Sequence, residues 1–148
     1  MTPDDLPTLL CESFHHWTGR HLVPGGELRG IELANALYEL DRVVVAHDTQ
    51  EDPVFMYANR VALELFEMTL DAFTRLPSRY SAEPVARAER EILLREVREK
   101  GFTDAYSGVR VSGSGKRFFI ERATVWNLVD AAGVKHGQAA TFPVPLRG

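Results

Sequence analysis

Residues 115–142 read GKRFFIERATVWNLVDAAGVKHGQAATF. The run from Lys116 to Val129 is dense in β-branched and aromatic residues, which predicts one long strand. Alternation places Phe118, Ile120, Arg122, Thr124, Trp126 and Leu128 on one face. Phe119, Glu121, Ala123, Val125, Asn127 and Val129 take the other. The tetrad Asp130-Ala131-Ala132-Gly133 supplies a turn, and Val134 to Phe142 a last strand. Upstream, from Asp104, the residues Ala105, Ser107, Val109 and Val111 alternate with Tyr106, Gly108 and Arg110 in a further strand. Three strands joined by short turns form an antiparallel meander.

The first of those turns contains Gly113-Ser114-Gly115-Lys116, which invites comparison with a phosphate-binding loop. Such a loop needs Gly where Arg110 stands, and Ser or Thr where Arg117 stands. A strand follows it, so no helix N-terminus is available to an anion. The stretch therefore turns a hairpin, with its glycines at the tip and Lys116 and Arg117 in solvent.

Outward from the meander, a first helix begins with Thr2 as cap and Pro3 in the first turn. Leu6, Leu9, Leu10, Phe14 and Trp17 recur at helical spacing, and Gly19 stops the helix. Weaker spacing resumes through Leu28, Ile31, Ala34, Leu37 and Tyr38. The segment Arg42 to Asp48, with Val43 to Val45 at its centre, and the segment Val54 to Ala58 predict a hairpin. Asn59 caps a helix carrying Ala62, Leu65 and Phe66, and Thr69 caps another that ends near Pro77. After an irregular stretch, Val85 to Lys100 is a helix with Val85, Ala88, Ile92, Leu93 and Val97 on its apolar arc. The expected class is α+β: a five-stranded antiparallel sheet with helices on one face, preceded by N-terminal helices. Residues 1–41 form a helical extension, 42–143 the domain and 144–148 a tail.

A chain of 148 residues with 45% hydrophobic residues can bury one core. A net charge of −4 gives no overall basic footprint for nucleic acid. Cys11 is the only cysteine, so neither an internal disulfide nor a CxxC metal pair can form. The start Met1-Thr2-Pro3-Asp4-Asp5 lacks the basic and apolar regions of a secretory signal. No apolar run approaches the roughly 20 residues of a membrane span, and a cytoplasmic location is expected.

His15, His16 and His21 make a poor chelate and read as surface, and no metal site is expected. His47-Asp48 ends a strand, but no Ser or Cys nucleophile is marked beside it. His136 reads as sheet surface, and Arg79 with Glu83 as an ion pair. Asn127 and Gln138 are amides on central strands, which need a backbone, water or ligand partner if buried.

Two quoted motifs point to a family. VFMYANRVALELFEMT, residues 54–69, resembles the strand, Asn and Leu-Phe helix of PAS domains, and residues 115–142 resemble their C-terminal half. Together they cover about Val43 to Phe142. AHDTQEDPVFMYANRVALELFEMT, LPSRYSAEP and YSGVR resemble, more narrowly, the MEKHLA-type PAS-like group. Similar domains occur as stand-alone bacterial proteins and at the C-terminus of plant class III homeodomain–leucine zipper factors. The string that names the group is absent, and neither homeodomain nor zipper is read in the sequence, so transcription-factor function is not carried over.

The resemblance implies a PAS-like sensory or protein-interaction module. It and the strand alternation mark Tyr57, Asn59, Arg79, Tyr80, Glu83, Trp126, Asn127 and Gln138 as ligand-binding candidates. LPSRYSAEP lacks the reactive Cys of light-sensing flavin domains, which excludes that photochemistry. Asn127 and Gln138 resemble the amides that contact flavin there, so non-covalent flavin stays open; otherwise no cofactor is expected. Haem is disfavoured, since residues 85–100 contain no His.

With no kinase, cyclase or DNA-binding segment read, output is expected through association, as a homodimer or with a protein partner. Direct nucleic-acid or membrane contact is not expected. The apolar face of the first helix, Leu6, Leu10, Phe14 and Trp17, either forms that surface or folds back on its own domain. The alternative is a small cofactor-independent isomerase or hydratase, marked by a pocket carboxylate of raised pKa.

Overall fold

In the computed structural model, which describes residues 6–24, 28–81, 91–92 and 95–145, five strands form one antiparallel sheet. They are β1 (Arg42–His47), β2 (Phe55–Ala58), β3 (Phe102–Val111), β4 (Arg117–Val129) and β5 (Lys135–Pro143), in the order β2-β1-β5-β4-β3. The meander β3-β4-β5 thus continues through β1, so the hairpin β1-β2 closes the far edge.

Helices cover both faces. On one lie α3 (Arg60–Phe66), α4 (Leu70–Phe73), a 3-10 turn (Ser78–Ser81) and a helical segment at 91–92 and 95–100. Phe55, Leu65, Phe66, Phe73, Val97, Ile120, Val125 and Phe142 form the core there. The opposite face is covered by α1 (Leu6–Thr18) and α2 (Gly30–Tyr38). Leu9, Leu10, Phe14, Leu33 and Leu37 pack there against Val44, Ala46, Trp126, Leu128 and Ala139.

The caps are those the sequence predicts. Asn59 accepts from the Ala62 amide, Thr69 accepts from the Ala72 amide, and Gly19 closes α1 at φ 72. The Thr2-Pro3 start lies outside the described residues. The Gly-Ser-Gly turn does more than reverse the chain: the Gly113 amide donates to Phe66 O at the end of α3, and Ser112 and Ser114 donate to Glu67.

Three expectations about faces are corrected. First, Phe118 and Ile120 share the helix-side core with Ala123 and Val125, whereas Trp126 and Leu128 face α1. Arg122 adopts a left-handed conformation, φ 54, where the β3–β4 register slips between Tyr106↔Ala123 and Gly108↔Ile120. One extra residue in β4 inverts the alternation beyond it. Second, α2 buries Leu33 and Leu37, while Leu28, Ile31 and Tyr38 are exposed. Third, of the described residues on the predicted arc of 85–100, Ile92 is exposed while Val97 is fully buried, and Val85, Ala88 and Leu93 lie outside the described residues. A short apolar pattern does not say which arc meets the sheet.

Candidate functional site

Between the sheet and its 3-10 turn lies a cavity of about 50 Å³. Much of its described lining is apolar: Val45, Phe55, Phe66, Ile120, Val125 and Phe142. Polar groups enter from Tyr106 and Arg110 on β3, Ser78 and Ser81 on the turn, His47 on β1 and Gln138 on β5.

Strand geometry brings the β3 pair together. Tyr106, Gly108 and Arg110 alternate onto one face. Gly108 has no side chain, and the Tyr106 ring lies within 4 Å of where its Cβ would stand. The Tyr106 hydroxyl reaches over Gly108 to the Arg110 guanidinium, whose Nη2 donates to it at 2.9 Å. Arg110 Nη1 donates to Ser81 Oγ at 2.9 Å, and that hydroxyl donates to Ser78 O at 2.8 Å. The guanidinium is half-buried, and no carboxylate among the described residues forms an ion pair with it.

At β5, Gln138 Nε2 donates to Asn127 Oδ1 at 3.2 Å, and Asn127 Nδ2 donates to Val97 O at 3.0 Å. Gln138 thus satisfies the Asn127 carbonyl, and Asn127 in turn satisfies the helical segment 95–100. Gln138 reaches the cavity, while Asn127 is not among its described lining.

The other sequence-derived candidates fall elsewhere. Asn59 is fully buried as a backbone junction: its Oδ1 accepts from Val44 N and Ala62 N, and its Nδ2 donates to Arg42 O at 2.6 Å. Trp126 is fully buried on the α1 side, edge-on to Phe14. Tyr57 packs with the same α1-side core, and burial, then Cys11 and Tyr38, push its phenol above its ordinary value. Tyr80 is exposed. The Arg79 side chain and Glu83 lie outside the described residues. Arg110, Tyr106 and Ser81 are not among the sequence-derived candidates, although the Tyr-x-Gly-x-Arg alternation already places two of them on one strand face.

The helix candidates Leu10 and Phe14 are buried on the domain's own sheet, and Leu6 and Trp17 are half-buried beside them. Trp17 Nε1 donates to Asn127 O at 2.9 Å, and Ser13 exchanges hydrogen bonds with the Val129 backbone at 2.8 and 3.0 Å. Of the two alternatives for this face, the structure takes the fold-back. Cys11, between these elements, has its thiol pushed up to about 11 by burial and then by Glu12.

The His47-Asp48 pair is a turn, not a dyad. His47 Nδ1 meets the Asp48 backbone oxygen at 2.9 Å, and the Asp48 carboxylate accepts from Val54 N and Gln50. Burial pushes that carboxyl up, but these hydrogen bonds outweigh it and hold it low. Among the described residues no cluster of three metal-ligating side chains occurs, and no helix is long and apolar enough to cross a membrane.

The family model described as the MEKHLA domain matches residues 4–144. The chain belongs to the MEKHLA domain family. Homeobox-leucine zipper protein HOX9 of Oryza sativa subsp. indica is 25% identical over 141 residues, which are 93% of this MEKHLA chain and 17% of that protein. Homeobox-leucine zipper protein ATHB-9 of Arabidopsis thaliana is 29% identical over 94 residues, 64% of this chain and 11% of that protein. The chain thus spans under a fifth of the curated relatives it matches.

Among solved structures, the PAS domain of a Colwellia psychrerythraea protein superposes with a TM-score of 0.66 at 13% identity, covering 79% of this chain and 98% of that one. A light-oxygen-voltage domain from a flavin-analogue study gives 0.61 at 20%, covering 74% and 82%. The MEKHLA chain therefore has the PAS fold. Its cavity does not fit a flavin: about 50 Å³ is far below the roughly 300–1,000 Å³ of pockets for drug-sized molecules.

Proposed function

We propose that this chain is a PAS-type sensory module, in which a small ligand in the sheet–helix cavity sets how the domain associates with a second copy or a protein partner. The single observation that carries this reading is the Arg110–Tyr106–Ser81 cluster at a mainly apolar cavity. An apolar chamber with a few convergent polar groups is the usual form of a small-molecule site. Family membership supports the same reading, and so does the PAS fold.

A stand-alone cytoplasmic role and a homodimer belong to this proposal. The association surface lies away from the apolar arc of α1, since Leu10 and Phe14 are spent on the chain's own sheet. A non-catalytic role also belongs to it: the described lining of the cavity includes no carboxylate to act as a base. Flavin enters only as an alternative occupant that would have to enlarge the cavity.

The test is native mass spectrometry of freshly purified protein, with an absorption spectrum of the same sample. A small added mass that denaturation removes, and a dimer fraction that changes with it, is the expected result. A bare mass, with oligomeric state indifferent to added metabolites, overturns the reading. Flavin bands in the spectrum would replace the small ligand by a flavin.

A further inference from the structure

We infer that the cavity takes a small carboxylate of about two to four carbons, held by Arg110 with the Ser81 and Tyr106 hydroxyls beside it. This rests on the ligand-binding reading above and names the chemical class.

An arginine in a protein is always cationic and carries five donors. Arg110 spends its two observed hydrogen bonds on neutral hydroxyls, although it is half-buried and lines an apolar chamber. A guanidinium in such a place is stabilised most by an anion, and its fork matches a carboxylate in bidentate geometry. The hydroxyls fix the fork: Tyr106 holds one nitrogen and Ser81, itself anchored on Ser78 O, holds the other.

Size then selects the body of the ligand. A water-sized group needs about 10–15 Å³ of such space, so a cavity of about 50 Å³ has room for a very short chain. Phe55, Phe66, Ile120, Val125 and Phe142 offer that body only apolar contact. Among the described lining a dianionic phosphate would meet one arginine, where it needs more charge. A neutral molecule of the same shape would give that guanidinium no counter-ion.

The experiment is an NMR titration of the isotope-labelled full chain with propionate, and separately with its neutral isostere propionamide, at matched ionic strength. Propionate is expected to give saturable shifts at residues lining the cavity, with propionamide at least about tenfold weaker, the usual worth of one charge-assisted contact. Arg110→Met is expected to abolish the difference between the two probes, and Arg110→Lys to restore part of it. Equal response to both probes in the wild-type chain overturns the carboxylate and leaves the small-ligand reading standing. No response to either, together with a bare native mass, overturns both. A ligand retained through purification that is not a carboxylate overturns the inference alone. The wild-type comparison decides the matter even where Arg110→Met fails to fold.

Discussion

Gly137 shows how much one residue can decide. Its φ is 157, and a Cβ there would stand 2.1 Å from the His47 carbonyl oxygen on the neighbouring strand. Gly137→Ala should therefore part β5 from β1 locally, lowering stability by about 2–4 kcal/mol in denaturant titration. Asn59 is the counterpart in polar chemistry. It joins β1, the end of α2 and the start of α3 through one buried amide. Asn59→Ala should cost about 2–4 kcal/mol, because it orphans several buried backbone groups at once, while Asn59→Asp should not rescue it. As a cap Asn59 was legible in sequence. Its second role, as a buried junction of three elements, was not, since that depends on which carbonyls those elements bring together.

At the scale of the element, α1 and β4 carry the lesson. The helix was legible as amphipathic, and its stripe of Leu10 and Phe14 needed a cover. That cover is the outer face of the chain's own sheet, reinforced by Ser13 and Trp17 on the β4 backbone. Leu10→Ala should lower stability by about 2–5 kcal/mol and shift the thermal midpoint of the whole domain. An independent α1 would instead melt separately. In β4, the Arg122 bulge sets which side chains reach the cavity. A left-handed non-glycine residue is strained, so Arg122→Gly should raise stability by about 0.5–1 kcal/mol in the same measurement. The bulge was illegible because strict alternation is the only rule a lone strand offers. The Tyr106-Gly108-Arg110 face, by contrast, stood in the sequence and needed only the turn at Ser78–Ser81 to make it a site.

At the scale of the whole molecule, three carboxylates among the described residues couple the fold to pH. Asp130 is held below its ordinary 3.8 by the His136 ring at 2.8 Å and by the Val134 and Ala132 amides, which form the β4–β5 turn. Asp48 and Asp104 are also low: burial opposes this in each, but the hydrogen bonds they accept outweigh it. A carboxylate with a depressed folded pKa binds fewer protons than its unfolded counterpart between the two values. Its stabilisation is complete above about pH 4 and is lost as pH falls through the folded value. Denaturation midpoints should therefore hold steady above about pH 5 and fall as the pH drops below the ordinary carboxylate value. Asp130→Asn should flatten part of that slope while leaving the neutral-pH spectrum of the fold intact.

Periodicity, caps and turns are local, and they were enough to determine the five strands, the described helices and the α+β class of this chain. Its order of motifs also sufficed to resemble the family to which it belongs. Tertiary structure alone decided which face of the sheet each side chain serves, because a single bulge at Arg122 exchanges the faces of everything beyond it. It alone sent Trp126 beneath α1 rather than into the cavity. It alone brought Ser81 to Tyr106 and Arg110, to which no sequence spacing relates it, since a ligand site is set by where separate elements meet in space.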